Sequence, residues 1–318
     1  MLFTMFLMTL AFFVGYAIRR GSVCAVMATR ALIVDRRPAR FRAFGVAAAG
    51  AGAVIIPLHW LFPDNATLSA GYPVTLQVLL AGATFGIGAR INDACALGTL
   101  AHLTGGNLAY GATITGMAAG AASMAYFNVA SFTTMLIASP LETPDAASVT
   151  FAFGLIVVLV VALSRRLPRW LRHLRDPASA RMGPYRSMLV VGICGGLLYT
   201  LAGSWTYMSV LSHRAARLVD ADFGADTWPV LLSAAVVVVG GVTAAWRNRE
   251  FDLQRPKLSA SLRCLSGGLL MGASAAIIPG GNGTLLLHGL PSLAPHAIAA
   301  YSAMTVVLCS SFLIRRGQ

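Results

Sequence analysis

Nine apolar runs constrain this chain more than any other feature of it. They fall near residues 1–18, 43–62, 74–90, 107–127, 149–164, 187–203, 228–246, 264–279 and 296–314. A helix needs about 20 apolar residues to cross a hydrocarbon layer of about 30 Å, so the runs read as spans, the shorter ones tilted or at unequal depth. Composition agrees: 57% of the residues are hydrophobic, 11% are charged and the mean hydropathy is +0.73. A soluble domain of this length is far less apolar. The expected fold class is an all-α polytopic membrane protein with about nine transmembrane helices, and its first partner is the lipid bilayer. The opening run, MLFTMFLMTLAFFVGYAI, has no charged leading segment and no small-residue cleavage site, so it reads as a retained helix.

The net charge of +13 is concentrated in short segments at 30–42, 165–186, 247–263 and the final RRGQ, whereas 63–73, 139–148 and 219–227 are neutral or acidic. Basic loops stay on the cytoplasmic side, which places the first group inside and the second outside. The clustering is loop bias, so no nucleic-acid partner is expected. The five cysteines, Cys24, Cys95, Cys194, Cys264 and Cys309, form no CxxC pair and sit in or beside apolar runs. That argues against a disulfide framework and against a metal site, and no cofactor fingerprint is present.

Four segments, 19–33, 91–106, 204–218 and 280–293, lie between runs but are too short or too polar to cross. Each reads as a re-entrant half-helix loop covered by protein or lining a cavity. They repeat one pattern. With Gly15, Gly86, Gly196 and Gly272 in register, the position nine residues on is Cys24, Cys95, Trp205 and Gly281. Arg19 and Arg90 follow the glycine by four residues in the first two copies. His102 and His288 follow the Cys/Gly position by seven in the second and fourth, where Gly98-Thr99 and Gly283-Thr284 also recur. The copies group into two halves, 1–164 and 187–318, joined by the basic linker 165–186. The first copy ends in a basic segment and the third in an acidic one, so the halves have opposite orientations. This is the inverted repeat of many secondary transporters, whose broken helices meet near the midplane.

A half-helix that starts at mid-depth presents unsatisfied N–H groups and the positive end of its dipole. The starts near Ser22, Asn92, Ser204 and Gly281 are therefore anion sites. Gly21, Gly280, Gly281 and Gly283 let the backbone approach closely. Arg19 and Arg90 add fixed charge and a planar donor fork suited to an oxyanion. A charge at membrane depth is paired or functional, and Asp93 is the natural partner of Arg90. Cys194, Cys264 and Cys309 read as small hydrophobes, His102 and His288 as packing and hydrogen-bonding residues with proton transfer as the alternative, and Trp205 as a plug or packing residue of the third copy.

The stretches RGSVCAVMATRAL, GARINDACALGT and PGGNGTLLLHGLPSL resemble the YeeE/YedE family of bacterial inner-membrane proteins, the sulfur-transport family. The resemblance covers most of the chain. It implies a compact helical fold with half-helices pointing inward, import of thiosulfate or a related reduced sulfur species, and a central line of cysteines that pass the substrate along by weak contacts. Cys24 and Cys95 match the first two of that line; where the family's third falls, this chain has Gly280, Gly281 and Asn282. The expected path is Cys24, Cys95, Arg90, Asn92, Asp93, Arg19, Gly281, Asn282, His102 and His288. The expected substrate is a small reduced-sulfur anion, delivered to a cytoplasmic sulfur carrier or sulfurtransferase without ATP chemistry or a cofactor in this chain. Two alternatives stay open. One is a permease for a different small solute, such as a selenium or persulfide species; the other is a membrane thiol-dependent sulfur transferase. The second lacks a clear nucleophile, base and orienting group, so the chain reads as a non-enzyme.

Overall fold

The structure, a computed structural model, describes residues 2–127, 136–164, 182–217, 228–278 and 280–316. Residues 165–181 of the basic linker and the acidic segment 219–227 lie outside the described residues. Among the described residues all regular structure is helical apart from two isolated β-bridges. Seven helical segments of the described residues are long and apolar enough to cross a bilayer, and the protein is an all-α polytopic membrane protein.

The long helices are α1 (Leu2–Gly21), α3 (Ala39–Leu61), α4 (Leu76–Asn92), α6 (Ala109–Tyr126), α7 (Ala146–Ser164), α8 (Pro184–Ala202), α10 (Trp228–Arg247), α11 (Leu258–Ile277) and α13 (Pro295–Arg316). The apolar runs at 74–90 and 107–127 form α4 and α6, of 17 and 18 residues, which fall outside the seven. Among the described residues four short helices interrupt this series: α2 (Ala25–Ile33), α5 (Ala96–Leu103), α9 (Tyr207–Arg217) and α12 (Gly281–Thr284), the last continuing into a π turn at Leu285–Gly289.

Helix packing is repetitive. α1 lies on α10 as α8 lies on α3; α4 lies on α13 as α11 lies on α6; and α2 lies on α13 as α9 lies on α6. Small residues make these crossings close, because without water to expel, helices in lipid associate by tight van der Waals contact. The four glycines in register are all at such crossings. A Cβ at Gly15 would lie 1.8 Å from the Val237 carbonyl oxygen, at Gly86 2.9 Å from that of Met304, at Gly272 2.0 Å from that of Met117, and at Gly196 3.0 Å from the Ala51 Cα. Each pair of helices touches backbone to backbone. α7 packs on α3, burying Ser148 and Ala152 and resting Phe151, Leu155, Leu159 and Leu163 against the core, while Phe153, Val158, Val160 and Val161 face outward.

The connecting segments gather at opposite ends. At one end, the neutral and acidic loops join: Gly71 bridges Ile137, the Trp60 indole donates to the Leu141 carbonyl at 2.8 Å, and the Ser139 hydroxyl donates to the Ser292 carbonyl at 2.8 Å. At the other, the segment after α5 meets the basic loop before α11. There Asp252 N–H donates to the Gly105 carbonyl and Gln254 N–H to the Gly106 carbonyl, both at 3.0 Å.

Candidate substrate path

α1 and α4 stop in the same way. Each ends in a non-glycine residue with left-handed backbone, Ser22 at φ 47° and Asp93 at φ 58°. Such a residue turns the chain at a cost of about 1 kcal/mol or more and is found where surrounding packing imposes it. The next residues are extended, and Cys24 and Cys95 become the N-caps of α2 and α5. The short helices thus begin at Ala25, Ala96 and Tyr207, three or four residues beyond the starts near Ser22, Asn92 and Ser204 read from the sequence. The left-handed turn and the extended cap consume those residues. Gly21 keeps an ordinary φ; its missing side chain admits Ser187, whose hydroxyl would lie 2.2 Å from a Cβ there.

The two N-caps meet at the centre of the molecule. Both cysteines are buried free thiols whose side chains touch. The first N–H of α2, at Ala25, donates to the Cys95 sulfur at 3.2 Å, so one of the orphan donors of that helix is spent on the thiol of the other. Gly98, in the first turn of α5, makes room for Cys24: a Cβ there would be 2.6 Å from its sulfur. The start of α9 is tied to the same place, since the Tyr207 hydroxyl donates to the Ala96 carbonyl at 2.7 Å. Trp205 is buried and donates from its indole to the Gly195 carbonyl at 3.0 Å, a packing arrangement. The space left between α5, α9 and α12, lined in part by Leu97, Trp205, Gly280 and Gly283, is about 10 Å³, room for no more than one water molecule.

α12 supplies the third side of this centre. Gly280 and Gly281 have φ of 95° and 74°, which glycine alone adopts freely, and this turn carries Asn282 into the core. Asn282 is fully buried beside the Cys95 thiol, its nearest polar neighbour, and neither atom of its amide makes a well-formed hydrogen bond to another protein group. A buried amide so weakly paired is rare in a folded protein. Behind it lies a closed hydroxyl cluster: Tyr199 with Thr284 at 2.8 Å, Thr206 with Ser209 at 2.8 Å, and Tyr199 with Thr206 at 3.3 Å. His288 stacks on the Tyr199 ring at 5.1 Å and its Nε2 lies 3.1 Å from the Thr67 carbonyl, at the acidic end.

A cavity of about 420 Å³ opens one helical turn below Cys24, toward the basic end, and its walls include Met27, Arg30, Arg90, Asp93, His102 and Phe312. Arg90 donates to Asp93 Oδ1 at 2.8 Å and lies over the Phe312 ring at 4.7 Å. Arg263, in the second turn of α11, donates to Asp93 Oδ2 at 2.8 Å. His102 stacks on Tyr110 with ring centroids 4.6 Å apart.

Of the ten residues expected on the path, Cys24, Cys95, Gly281 and Asn282 converge at the centre, and Arg90, Asp93 and His102 line the cavity. The other three lie elsewhere. Asn92 spends its amide inside the protein, donating to the Ala94 carbonyl at 2.8 Å and Thr99 at 3.0 Å and accepting from Thr113 at 2.7 Å. Arg19 donates to the Ala101 carbonyl at 3.2 Å and the Glu250 carbonyl at 3.0 Å, locking the C-terminal end of α5 to the basic loop. His288 faces the acidic end. The sequence reading missed Arg30, Tyr110, Arg263 and Phe312. Arg30 stands six residues after Cys24, so a helix carries it away from the thiol by almost two turns, and only that spacing could have placed it.

The profile of a family described as Sulphur transport matches residues 20–309, nearly the whole chain, and the chain belongs to this family, the YeeE/YedE sulfur transport family. No curated protein matches it. Family membership and the apolar helices together make it a multi-pass membrane transporter of sulfur compounds.

Proposed function

We propose that this member of the sulfur transport family imports thiosulfate or a related small reduced-sulfur anion across the bacterial inner membrane, through a path lined by Cys95 and Cys24. The anion enters from the end that carries the neutral and acidic loops, drawn to the N-terminal ends of the re-entrant half-helices. It contacts the two thiols through weak S–H hydrogen bonds and leaves through the arginine-lined cavity to a cytoplasmic sulfur carrier or sulfurtransferase. A succession of weak sites favours release, because one tight site would trap the ion. The thiols stay reduced and no covalent bond turns over. In this reading residues 1–164 and 187–318 are inverted halves, the matched packing of α1 on α10 and of α8 on α3 being the footprint of the pseudo-twofold.

The observation that carries the proposal is the meeting of two free thiols, brought from positions 71 residues apart to the N-caps of two inward-starting helices. The test is uptake of radiolabelled thiosulfate by proteoliposomes holding the parent, Cys24→Ala or Cys95→Ala. Saturable uptake lost in either variant is the expected result; parental uptake in both would remove the thiols from the mechanism. One observation favours the alternative of a different sulfur or selenium solute. The buried amide of Asn282, beside the Cys95 thiol, both donates and accepts, and so suits a species that carries a proton. Uptake of hydrosulfide or selenide but not of thiosulfate by the parent would select it.

A further inference from the structure

The cavity at the basic end holds two guanidinium groups with unequal partners. Arg90 is fixed from two sides, by Asp93 at 2.8 Å and by the Phe312 ring at 4.7 Å. Arg30 lines the same cavity, and no carboxylate lies within ion-pair distance of it among the described residues. Asp93 is shared: its second oxygen holds Arg263 at 2.8 Å. This sharing matters for exchange. An anion that draws Arg90 away leaves Asp93 paired with Arg263, so entry does not strand a carboxylate in a half-enclosed site, the step that makes breaking a buried ion pair expensive. Arg30, Arg90 and Arg263 against the single Asp93 also leave two positive charges, which a dianion balances. No cysteine lines the cavity. Its recognition groups are guanidinium forks, which match oxyanion oxygens in geometry and charge.

The geometry points to a second anion site, separate from the thiol pair, that binds a tetrahedral sulfur oxyanion through Arg30 and Arg90. It reads oxygens and is blind to the terminal sulfur, so it takes sulfate as well as thiosulfate. Selection among sulfur species belongs to the thiols above, and sulfate on the cytoplasmic side fills the exit without being carried. That the path conducts sulfur anions rests on the transport reading; that the cavity binds them rests only on its arginines.

The test is calorimetric titration of the purified full-length protein in detergent with inorganic sulfate and, separately, thiosulfate. The parent is compared with the Cys24→Ala/Cys95→Ala double variant, Arg30→Gln and Arg90→Gln. Saturable binding of both anions is expected, within about threefold of each other, unchanged in the double cysteine variant and about tenfold weaker in each arginine variant, as losing one charged hydrogen bond implies. Arg90→Gln also breaks a structural ion pair, so Arg30→Gln, which removes an exposed side chain, carries the decision. Absence of saturable sulfate binding, its loss in the double cysteine variant, or its persistence in Arg30→Gln overturns the proposal. Failure of the parent to take up thiosulfate would overturn the transport reading and leave the sulfate titration standing.

Discussion

Replacing Gly98 by alanine tests whether the thiols work by geometry. Its added Cβ would lie 2.6 Å from the Cys24 sulfur, 2.9 Å from the Cys24 Cβ and 3.2 Å from the Ala94 methyl. Favourable contacts between such atoms lie at about 3.5–4.0 Å, so Cys24 must retreat by about 1 Å from α5 and from Cys95. Overpacking of this size costs about 1–3 kcal/mol. The exchange of glycine for alanine inside a helix returns up to about 1 kcal/mol, so the melting temperature moves little. Both thiols remain present and chemically intact; only their separation changes. If substrate must touch both, initial uptake of radiolabelled thiosulfate falls by about tenfold to a hundredfold, the rate equivalent of the overpacking penalty. Gly111→Ala is the control, because a Cβ there meets nothing within 4 Å and gains the same helix propensity. A Gly98→Ala protein that transports at the parental rate would refute the idea that the spacing of the two N-caps matters.

Three further outcomes are expected. Asn92→Ala removes three buried hydrogen bonds, to Ala94, Thr99 and Thr113, and should cost about 2–4 kcal/mol, seen as a lower thermal midpoint in detergent; an unchanged midpoint would show that the amide is not a structural tie. Gly281→Cys places a side chain at φ 74° and 2.8 Å from the Met208 sulfur, so it should destabilise by about 1–3 kcal/mol. Asn282→Cys, at a position with ordinary φ, should fold like the parent, and equal stability of the two would contradict the backbone argument. Ahead of α7, the Asp145 carboxylate accepts from the Ser148 N–H at 2.9 Å and from the Ser148 hydroxyl, and these bonds hold its pKa below the ordinary carboxylate value. A depressed pKa stabilises above the unfolded value of about 3.9 and loses that contribution as pH falls through the folded value. Amide exchange in the first turn of α7 should therefore accelerate below about pH 4, and Asp145→Asn should abolish that step.

The breaks in the helices were legible because their causes are local. Glycines, Ser22 and the polar pair Asn92-Asp93 interrupt apolar segments, and the short helices follow within a few residues. The charge asymmetry of the loops was equally legible, and the structure gathers 71 with 137 at one end and 106 with 254 at the other. Partner choice was not. Asp93 pairs with Arg263 across 170 residues, and Arg90 rests on Phe312; nothing near either arginine in the chain announces it. Arg19 and Asn92 looked like path residues because they are polar at membrane depth. The partners they find, the Ala101 and Glu250 carbonyls for Arg19 and two threonines for Asn92, are fixed by packing and were not legible in the chain.

Hydropathy and periodic spacing by themselves determined that this chain is a membrane protein of broken helices, that the breaks repeat, and that Cys24 and Cys95 occupy equivalent positions. These follow from the cost of unsatisfied backbone and charge in lipid, which every segment bears on its own. The tertiary structure alone decided which equivalent residues touch. The glycines at 15, 86, 196 and 272 let helices meet backbone to backbone, and the same assembly brings the two thiols together, sets Asn282 beside them and leaves the arginine-lined cavity beneath. Contacts of that kind depend on the mutual approach of segments far apart in the chain, a distance that no local pattern encodes.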